Sequence, residues 1–210
     1  MRTLVIASQK GGVGKTTLTG HLAVEAERQG EKMVAMMDTD EQMSLSGWFR
    51  VRSADTPILV QPVEGNLRKT MDAMRKAGVS LLIIDTPPAI TEAIALTVAL
   101  ADLVVIPVRP SPHDLRAVGR TVDIVAQHRK PMVFVVNQAN QRARITTQAA
   151  IALSEHGPVA KTVIHSRTDF AVSMADGRTV MELDPEGKSA SEIAELWTYI
   201  KGRFDREDRR

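Results

Sequence analysis

The sequence contains no cysteine and very few aromatic residues. None of its 210 residues is Cys, and Phe, Trp and Tyr together make up 3% of the chain. Disulfides, thiolate metal sites and cysteine nucleophiles are therefore excluded. Because 43% of the residues are hydrophobic, the core must be built from aliphatic side chains. A chain of this length buries most of its apolar surface, which predicts one domain over residues 1–210.

Long apolar runs and a strong net charge are also missing. No stretch approaches the ~20 apolar residues of a membrane span, and the opening TLVIAS is too short for a signal peptide. We therefore expect a cytoplasmic protein. The net charge is +2, yet residues 101–150 hold 7 Lys or Arg against 3 Asp or Glu. Charge alone favours an ordinary solvated surface there over a basic face for a polyanion.

Short apolar runs alternate with helical patterns along the chain. The runs predicted as buried strands are 3–8, 33–38, 81–85, 103–108, 132–137 and 160–165. The patterns predicted as helices are 15–29, 66–77, 91–101, 113–128, 144–155 and 189–204. The alternation predicts an α/β fold with a doubly wound, mostly parallel sheet and helices on both faces. Ligands bind such sheets at the carboxyl ends of the strands, where the main motifs fall.

A variant phosphate-binding loop follows the first predicted strand. The stretch SQKGGVGKTTLTG covers residues 8–20 and opens the first predicted helix. The usual pattern is G-x-x-x-x-G-K-S/T, and Gln9 stands where its first glycine would fall. Gly11, Gly12 and Gly14 let the backbone wrap around phosphates, and the helix N-terminus adds its positive end. This strand–loop–helix context favours a phosphate loop over a simple glycine-rich turn.

The side chains of this loop carry the predicted chemistry. Lys15 can reach the β- and γ-phosphates, the Thr16 hydroxyl can ligate Mg²⁺, and Thr17 can donate towards the α-phosphate. Lys10 is one lysine more than such a loop needs. Its spacing leaves two possibilities open: a solvated surface lysine, or a cation that meets a second nucleotide across a dimer interface.

Residues 10–17 resemble the signature K-G-G-x-G-K-S/T-T of the ParA/MinD family of deviant Walker A ATPases. In that family two subunits sandwich the nucleotide, and the signature lysine contacts the partner's ATP. The resemblance implies a P-loop NTPase fold, ATP and Mg²⁺ as cofactors, an ATP-dependent homodimer, and catalytic roles for Lys10 and Lys15. The nucleotide contacts that it implies in the loop are Gly11, Gly12, Val13, Gly14, Lys15, Thr16 and Thr17.

Carboxylates follow two further predicted strands. Asp38 and Asp40 end the second strand, where family members usually read D-x-D-P-Q; this chain has Glu41 in place of the proline. By resemblance Asp40 positions the attacking water, and Asp38 supports Mg²⁺ through water. Asp85 ends the apolar run LLIID and looks like a Walker B carboxylate that holds a water on Mg²⁺. The predicted metal-binding residues are therefore Thr16, Asp38 and Asp85. A helix-capping aspartate is the alternative for Asp85.

The base site and the subfamily are indicated by resemblance. Asn137 ends the run MVFVVN, where the family has an asparagine that contacts adenine. The stretch IPVRPSPHDL, with Pro107 and Pro110, resembles a proline-rich segment of small ParF-type plasmid-partition members that lies beside the adenine and near the dimer interface. The later TVIHSRTDFAVSMADGRTVME also follows their pattern. Because the phosphate loop begins at residue 10, we expect no N-terminal helix-turn-helix domain.

Membrane binding is the MinD-like alternative, and the C-terminal segment bears on it. Apolar residues recur at helical spacing through SEIAELWTYIKGRF, namely Ile193, Leu196, Trp197, Ile200 and Phe204. We expect this stripe to pack on the core rather than on a membrane, because the tail mixes acidic and basic residues.

The resemblance implies a bacterial, nucleoid-associated partition ATPase. Its ATP dimer would bind DNA non-specifically, and a ParB-like centromere-binding or adaptor protein would stimulate hydrolysis and so move a plasmid or chromosome. The candidate DNA contacts are Arg142, Arg144, Lys161, Arg167, Arg178, Lys201 and Arg203. The alternatives are a MinD-like ATPase, a positioner of a compartment or cluster, and a metabolic P-loop ligase, which would not need Lys10 in trans.

Overall fold

The structure is a computed structural model that describes residues 1–62, 66–88, 92–141 and 143–207. Its centre is a six-stranded sheet in the order β3-β2-β4-β1-β5-β6, and all neighbouring strands are parallel. The strands are β1 (Arg2–Ile6), β2 (Val34–Asp38), β3 (Ile58–Val60), β4 (Leu81–Asp85), β5 (Leu103–Val108) and β6 (Met132–Val136). The predicted doubly wound α/β fold is confirmed.

Helices cover both faces of the sheet. They are α1 (Lys15–Arg28), α2 (Ser44–Arg50), α3 (Leu67–Lys76), α4 (Glu92–Ala99), α5 (Pro112–Gln127), α6 (Arg144–Ser154), α7 (Thr168–Ala175), α8 (Val180–Leu183) and α9 (Lys188–Glu207). Alternate residues of β1 point to opposite faces: Leu4 and Ile6 pack with α1, α2, α8 and α9, whereas Val5 packs with α3, α4, α5 and α6.

The C-terminal helix packs as predicted. Ile193, Leu196, Trp197, Ile200 and Phe204 are all at most 2% exposed and lie in the core cluster that contains β1 and α1. The apolar stripe of α9 is therefore part of the core. Within the described ranges, every helix lacks the combination of length and apolar character that crossing a membrane requires.

Strand order places the ligand site. The chain goes from β1 towards β2 and β3 on one side, and later towards β5 and β6 on the other. The loop after β1 therefore opens at the point where the winding reverses, and such reversals leave a crevice at the carboxyl ends of the strands. Asp38 and Asp85 are register partners at the ends of β2 and β4, beside that crevice.

The predicted strand over 160–165 was wrong. The segment makes only isolated bridges to β6 and its extension, Phe134 with Val159 and Ala139 with His165. The backbone N–H of Ala160 donates to Phe134 O and that of Ile164 to Val136 O. Between these two hydrogen bonds the segment advances by four residues, from 160 to 164, whereas β6 advances by two, from 134 to 136. The extra residues bulge out, and a continuous ladder cannot form.

Several short elements were missed by the sequence pattern: β3, α2, α7 and α8. None of them is longer than eight residues, which is shorter than the window of about 11 residues over which hydrophobic periodicity is read. Only α8 carries a clear signal, because Thr179 and Glu182 form a capping box in which each side chain accepts a backbone N–H at the helix start.

Candidate functional site

The phosphate loop requires glycine at its last turn. Gly14 precedes α1 with a φ of 86°, a left-handed conformation, and Gly12 has a φ of 71°. A Cβ on Gly14 would lie 2.5 Å from Asn137 Nδ2. Both backbone conformation and close packing therefore exclude a side chain there. The start of α1 has no side-chain cap, which leaves its first N–H groups available to an anion.

Two amides from the end of β6 hold the loop. Asn137 Nδ2 donates to Val13 O at 2.7 Å, and Gln138 Nε2 donates to Gly12 O at 3.0 Å. Asn137, which is predicted to contact adenine, is thus also a brace of the phosphate loop. Gln138 was missed, although it directly follows the predicted Asn137. These bonds leave the amide oxygens of both side chains as the groups that can accept from a ligand.

Lys15 is a buried cation without a carboxylate partner among the described residues. It is 7% exposed, and its Nζ reaches only Lys10 O, at 3.4 Å. Burial lowers the pKa of Lys15, while the charges of Asp85 and Asp40 oppose that shift. A buried ammonium with so little compensation is unfavourable by itself. It becomes favourable once a phosphate supplies the missing negative charge.

Thr16 and Asp85 have the arrangement that a magnesium site needs. The Thr16 hydroxyl donates to Asp85 Oδ2 at 2.6 Å, whereas Asp85 Oδ1 is buried and has no hydrogen-bond partner in the described part of the chain. Burial, helped by the charges of Asp38 and Asp40, raises the pKa of Asp85 to about 7. A cation with its bound water would satisfy both the orphaned oxygen and the buried charge, so these residues fit Mg²⁺.

Protein side chains alone do not form a complete metal cage here. No group of three or more His, Asp or Glu side chains within the described ranges is arranged to hold a metal ion. In phosphate-loop proteins, Mg²⁺ typically keeps waters and shares phosphate oxygens.

Asp38 and Asp40 have different surroundings. Asp38 Oδ2 accepts from the backbone and hydroxyl of Ser46 at 2.9 and 3.0 Å, so this carboxylate holds the first turn of α2. Asp40 is partly exposed, and its charge influences the pKa of both Lys15 and Asp85. The structure therefore brings Asp40 near the predicted reaction centre. The metal role of Asp38 stays a prediction.

A cavity of about 280 Å³ adjoins the loop and α1. Leu18, Ile164, Phe170 and Met174 provide apolar walls, and Asn137 and Gln138 lie at its polar end next to Gly14. A mostly apolar cavity with a few polar groups suits a nucleotide base. Phe170 belongs to the stretch TVIHSRTDFAVSMADGRTVME, which follows the family pattern, and it lines this cavity.

One wall of the cavity is held by an ion cluster. Glu192 of α9 accepts two hydrogen bonds from the Arg167 guanidinium, both at 2.7 Å, and one from the His165 ring at 2.7 Å. Burial opposes ionisation of Glu192, but the hydrogen bonds from Arg167 and His165 hold the pKa of this carboxyl below its usual range. The cluster ties the segment after β6 to α9 and so shapes the base cavity.

Lys10 lies on the other side of the loop. It lines a separate open pocket of about 440 Å³ together with Arg109 and Pro110, and no carboxylate in the described ranges forms an ion pair with it. Pro107 lines a small recess next to Ser8 and Lys10. The structure therefore places both prolines beside Lys10 and not at the base cavity. Their contact with adenine stays a prediction that this arrangement does not favour.

Most of the residues predicted to contact DNA form ion pairs with carboxylates of this chain. Arg167 pairs with Glu192 at 2.7 Å, Arg178 with Asp176 at 2.7 Å, Lys201 with Glu31 at 3.7 Å and Arg203 with Glu207 at 3.5 Å. In the described ranges, Arg144 and Lys161 are exposed and form no ion pair. Arg142 lies outside the described residues. Only two of the described candidates are thus unpaired cations.

Comparisons with known proteins agree with this site. Residues 4–180 match the family described as the CobQ/CobB/MinD/ParA nucleotide binding domain. The chain is 28% identical over 205 residues to maintenance of carboxysome distribution protein A of Halothiobacillus neapolitanus, covering 90% of this chain and 91% of that protein. It is 27% identical to the chromosome-partitioning ATPase Soj of Thermus thermophilus, covering 97% and 96%.

A solved structure shows the same fold. The septum site-determining protein MinD of Pyrococcus horikoshii, complexed with Mg-ADP, superposes with a TM-score of 0.76 at 20% identity and covers 95% of both chains. The chain therefore belongs to the CobQ/CobB/MinD/ParA nucleotide-binding family and has the fold of its ParA/MinD ATPases. The family recognised in the loop signature is confirmed.

Proposed function

We propose that this chain is a partition-type ATPase whose ATP-bound form is a sandwich homodimer that binds DNA without sequence preference. The observation that carries the proposal is Lys10, which stands at the outer side of the phosphate loop with no carboxylate partner among the described residues. A cation left unpaired beside a phosphate site suits an anion that arrives from another molecule. The nucleotide of a second subunit is such an anion.

Each residue of the site has a separate role in the proposed reaction. The N-terminus of α1 and Lys15 bind the phosphates, while Thr16 and Asp85 would hold Mg²⁺, which neutralises phosphate charge during transfer to water. Asp40 lies close enough to Lys15 and Asp85 to influence both pKa values. We assign to Asp40 the orientation of the attacking water, and to Lys10 the stabilisation of phosphoryl charge in trans.

The proposal also identifies the cargo that the ATPase moves. We propose that a ParB-like or adaptor protein stimulates hydrolysis and that cycles of DNA binding and release move a plasmid or chromosome. In support, the relative Soj is named a chromosome-partitioning ATPase. A protein compartment is the second candidate, because the carboxysome-distribution relative aligns over 90% of this chain. Both cargoes require the same ATP-gated attachment to the nucleoid.

The first experiment measures binding to random-sequence duplex DNA without nucleotide, with ADP, and with a slowly hydrolysed ATP analogue, at two salt concentrations. We expect tight, salt-sensitive binding only with the analogue, because dimerisation doubles the basic surface. Lys10→Ala should lose both the dimer and the DNA binding. Absence of DNA binding in all three states would contradict the proposal, and anionic lipid vesicles would then test the MinD-like alternative.

A further inference from the structure

The pocket that contains Lys10 has a second cation of defined geometry. Arg109 follows β5 at the entrance of the loop that leads to α5, and its side chain is 35% exposed. Its Nε and one terminal nitrogen both lie 3.1 Å from Asp114 Oδ1. Asp114 is itself buried, and the Ser111 hydroxyl donates a hydrogen bond to its other oxygen. The guanidinium is therefore held in place before any ligand arrives.

The remaining edge of this guanidinium is free. In the described part of the chain, Arg109 Nη1 has no hydrogen-bond partner, and it lies 4.0 Å from the position that a Cβ on Gly12 would occupy. Nη1 therefore stands beside the phosphate loop with its N–H donors unused. A guanidinium with one edge clamped by a carboxylate and the other edge free is well suited to bind phosphate oxygens.

The Lys10 pocket shares one described residue, Gln138, with the lining of the base cavity. Its lining contains neither Lys15, Thr16 nor Asp85, and the lining of the base cavity contains neither Lys10 nor Arg109. Lys10, at the start of the phosphate loop, lines one space, and Gly14, at its end, lines the other. Of the carboxylates in the described ranges, only Asp114 lines the Lys10 pocket, and Arg109 already neutralises it. The excess positive charge of Lys10 calls for an anion from outside the subunit.

We propose that Arg109 is a second phosphate contact in trans: with Lys10 it receives the phosphates of the nucleotide bound to a second copy of this chain. Asp114 and Ser111 act as positioning residues that hold the guanidinium towards the interface. The inference rests on the proposed sandwich dimer and adds a residue that the loop signature does not contain. It agrees with the resemblance of the loop after β5 to a segment that lies near the dimer interface.

The test separates binding to the chain's own nucleotide from binding to the partner's. Arg109→Gln removes the charge, Arg109→Lys keeps a charge without the fork, and Arg116→Gln is the matched control on the exposed surface of α5. ADP affinity is measured on dilute protein by fluorescence of a labelled ADP. Dimerisation is measured by analytical ultracentrifugation with Mg²⁺ and a slowly hydrolysed ATP analogue.

We expect Arg109→Gln to weaken analogue-dependent dimerisation by about tenfold or more while ADP affinity stays within about twofold. Arg109→Lys should retain part of the dimerisation, and Arg116→Gln should match the wild type in both assays. An equal fall in ADP affinity and dimerisation would overturn the proposal, since Arg109 would then serve its own subunit.

Two further outcomes are distinguishable. If the wild type dimerises with the analogue and Arg109→Gln dimerises equally well, the Arg109 contact is refuted and the sandwich dimer stands. If the wild type stays monomeric with the analogue, the sandwich dimer itself fails. Should Arg109→Gln melt at a markedly lower temperature, Arg109→Lys, which can still pair with Asp114, decides between the outcomes.

Discussion

Cations on two sides of this molecule differ in whether a carboxylate pairs with them. Beside the phosphate loop, Lys10 and Lys15 form no ion pair with a described carboxylate, although Lys15 is buried. On the side formed by α7, the α7–α8 loop and α9, Arg167, Arg178 and Lys201 are each paired with a carboxylate. Folding alone favours the paired arrangement. Lys10, Lys15 and the unpaired edge of Arg109, whose other edge pairs with Asp114, are therefore the better candidates for binding an external anion.

The largest effect should follow from removing the buried lysine. We expect Lys15→Ala to lower ATP turnover by about 100-fold or more, because no other buried cation in the described site replaces it at the phosphates. The free energy of unfolding should stay the same or rise, since the variant no longer has to bury an uncompensated charge.

Steady-state phosphate release and urea unfolding of the ligand-free protein check both parts of this prediction. Lys188→Ala, at an exposed position of α9, is the control and should change neither. A large fall in stability of Lys15→Ala would show that this lysine is a structural cation, and the contrast between the two sides would then disappear.

A pair of glycines tests the close packing at the loop. Gly14 and Gly30 both have left-handed φ values, 86° and 94°, but only a Cβ on Gly14 meets a neighbour, Asn137 Nδ2. Gly30→Ala should lower the free energy of unfolding by about 1–2 kcal/mol from backbone strain. Gly14→Ala should lower it by about 2–4 kcal/mol and also weaken nucleotide binding. Equal losses of stability in urea unfolding would argue against the contact with Asn137.

A buried histidine links the two sides and should make stability depend on pH. His21 is fully buried; its Nε2 accepts from Val180 N, and its Nδ1 therefore donates to Thr17 O. Burial lowers the pKa of His21 from 6.5 to about 4. Between these pH values the unfolded chain binds a proton that the native chain does not. Stability is therefore lost as the pH falls from 6.5 towards 4, by about 3 kcal/mol at most.

Urea unfolding between pH 7 and pH 4 measures this dependence. His21→Gln keeps one donor and one acceptor but does not titrate, so its stability should fall less steeply over the same interval. Because carboxylates also contribute near pH 4, the quantity to compare is the difference between the two slopes. Identical slopes would mean that His21 does not remain neutral in the native state.

The smallest effect concerns the predicted DNA-binding residues. Lys161 is exposed and forms no ion pair with a described residue, whereas Arg178 pairs with Asp176. If the dimer binds DNA, the logarithm of its DNA-binding constant should fall linearly with the logarithm of the salt concentration. Lys161→Gln should reduce the steepness of this slope by about 0.9 for each DNA phosphate that the variant no longer neutralises. Arg178→Gln should leave that slope nearly unchanged. The reverse result would show that the pairing seen in the free chain is exchanged for phosphate on binding.

Local signals in the sequence were sufficient to predict that several residues of the candidate site lie at one edge of the sheet. The positions of Lys15, Thr16 and Asp85 follow from their place after buried strands, because carboxyl ends of parallel strands share one edge of the sheet. Their mutual contacts, such as the 2.6 Å bond from Thr16 to Asp85, agree with that expectation. The prediction of a strand over 160–165 was wrong, because an apolar pattern does not show how many residues bulge between two backbone hydrogen bonds.

By itself, the sequence determined the family, the parallel α/β class, the core stripe of α9 and the phosphate loop, because each depends on local pattern or spacing. Only the tertiary structure decided which cations are paired, that the two prolines lie beside Lys10, and that Asp114 clamps Arg109. Those features depend on contacts between residues brought together by the order of the strands. Periodicity along the chain does not encode which side chains meet when two strand ends and a helix start converge.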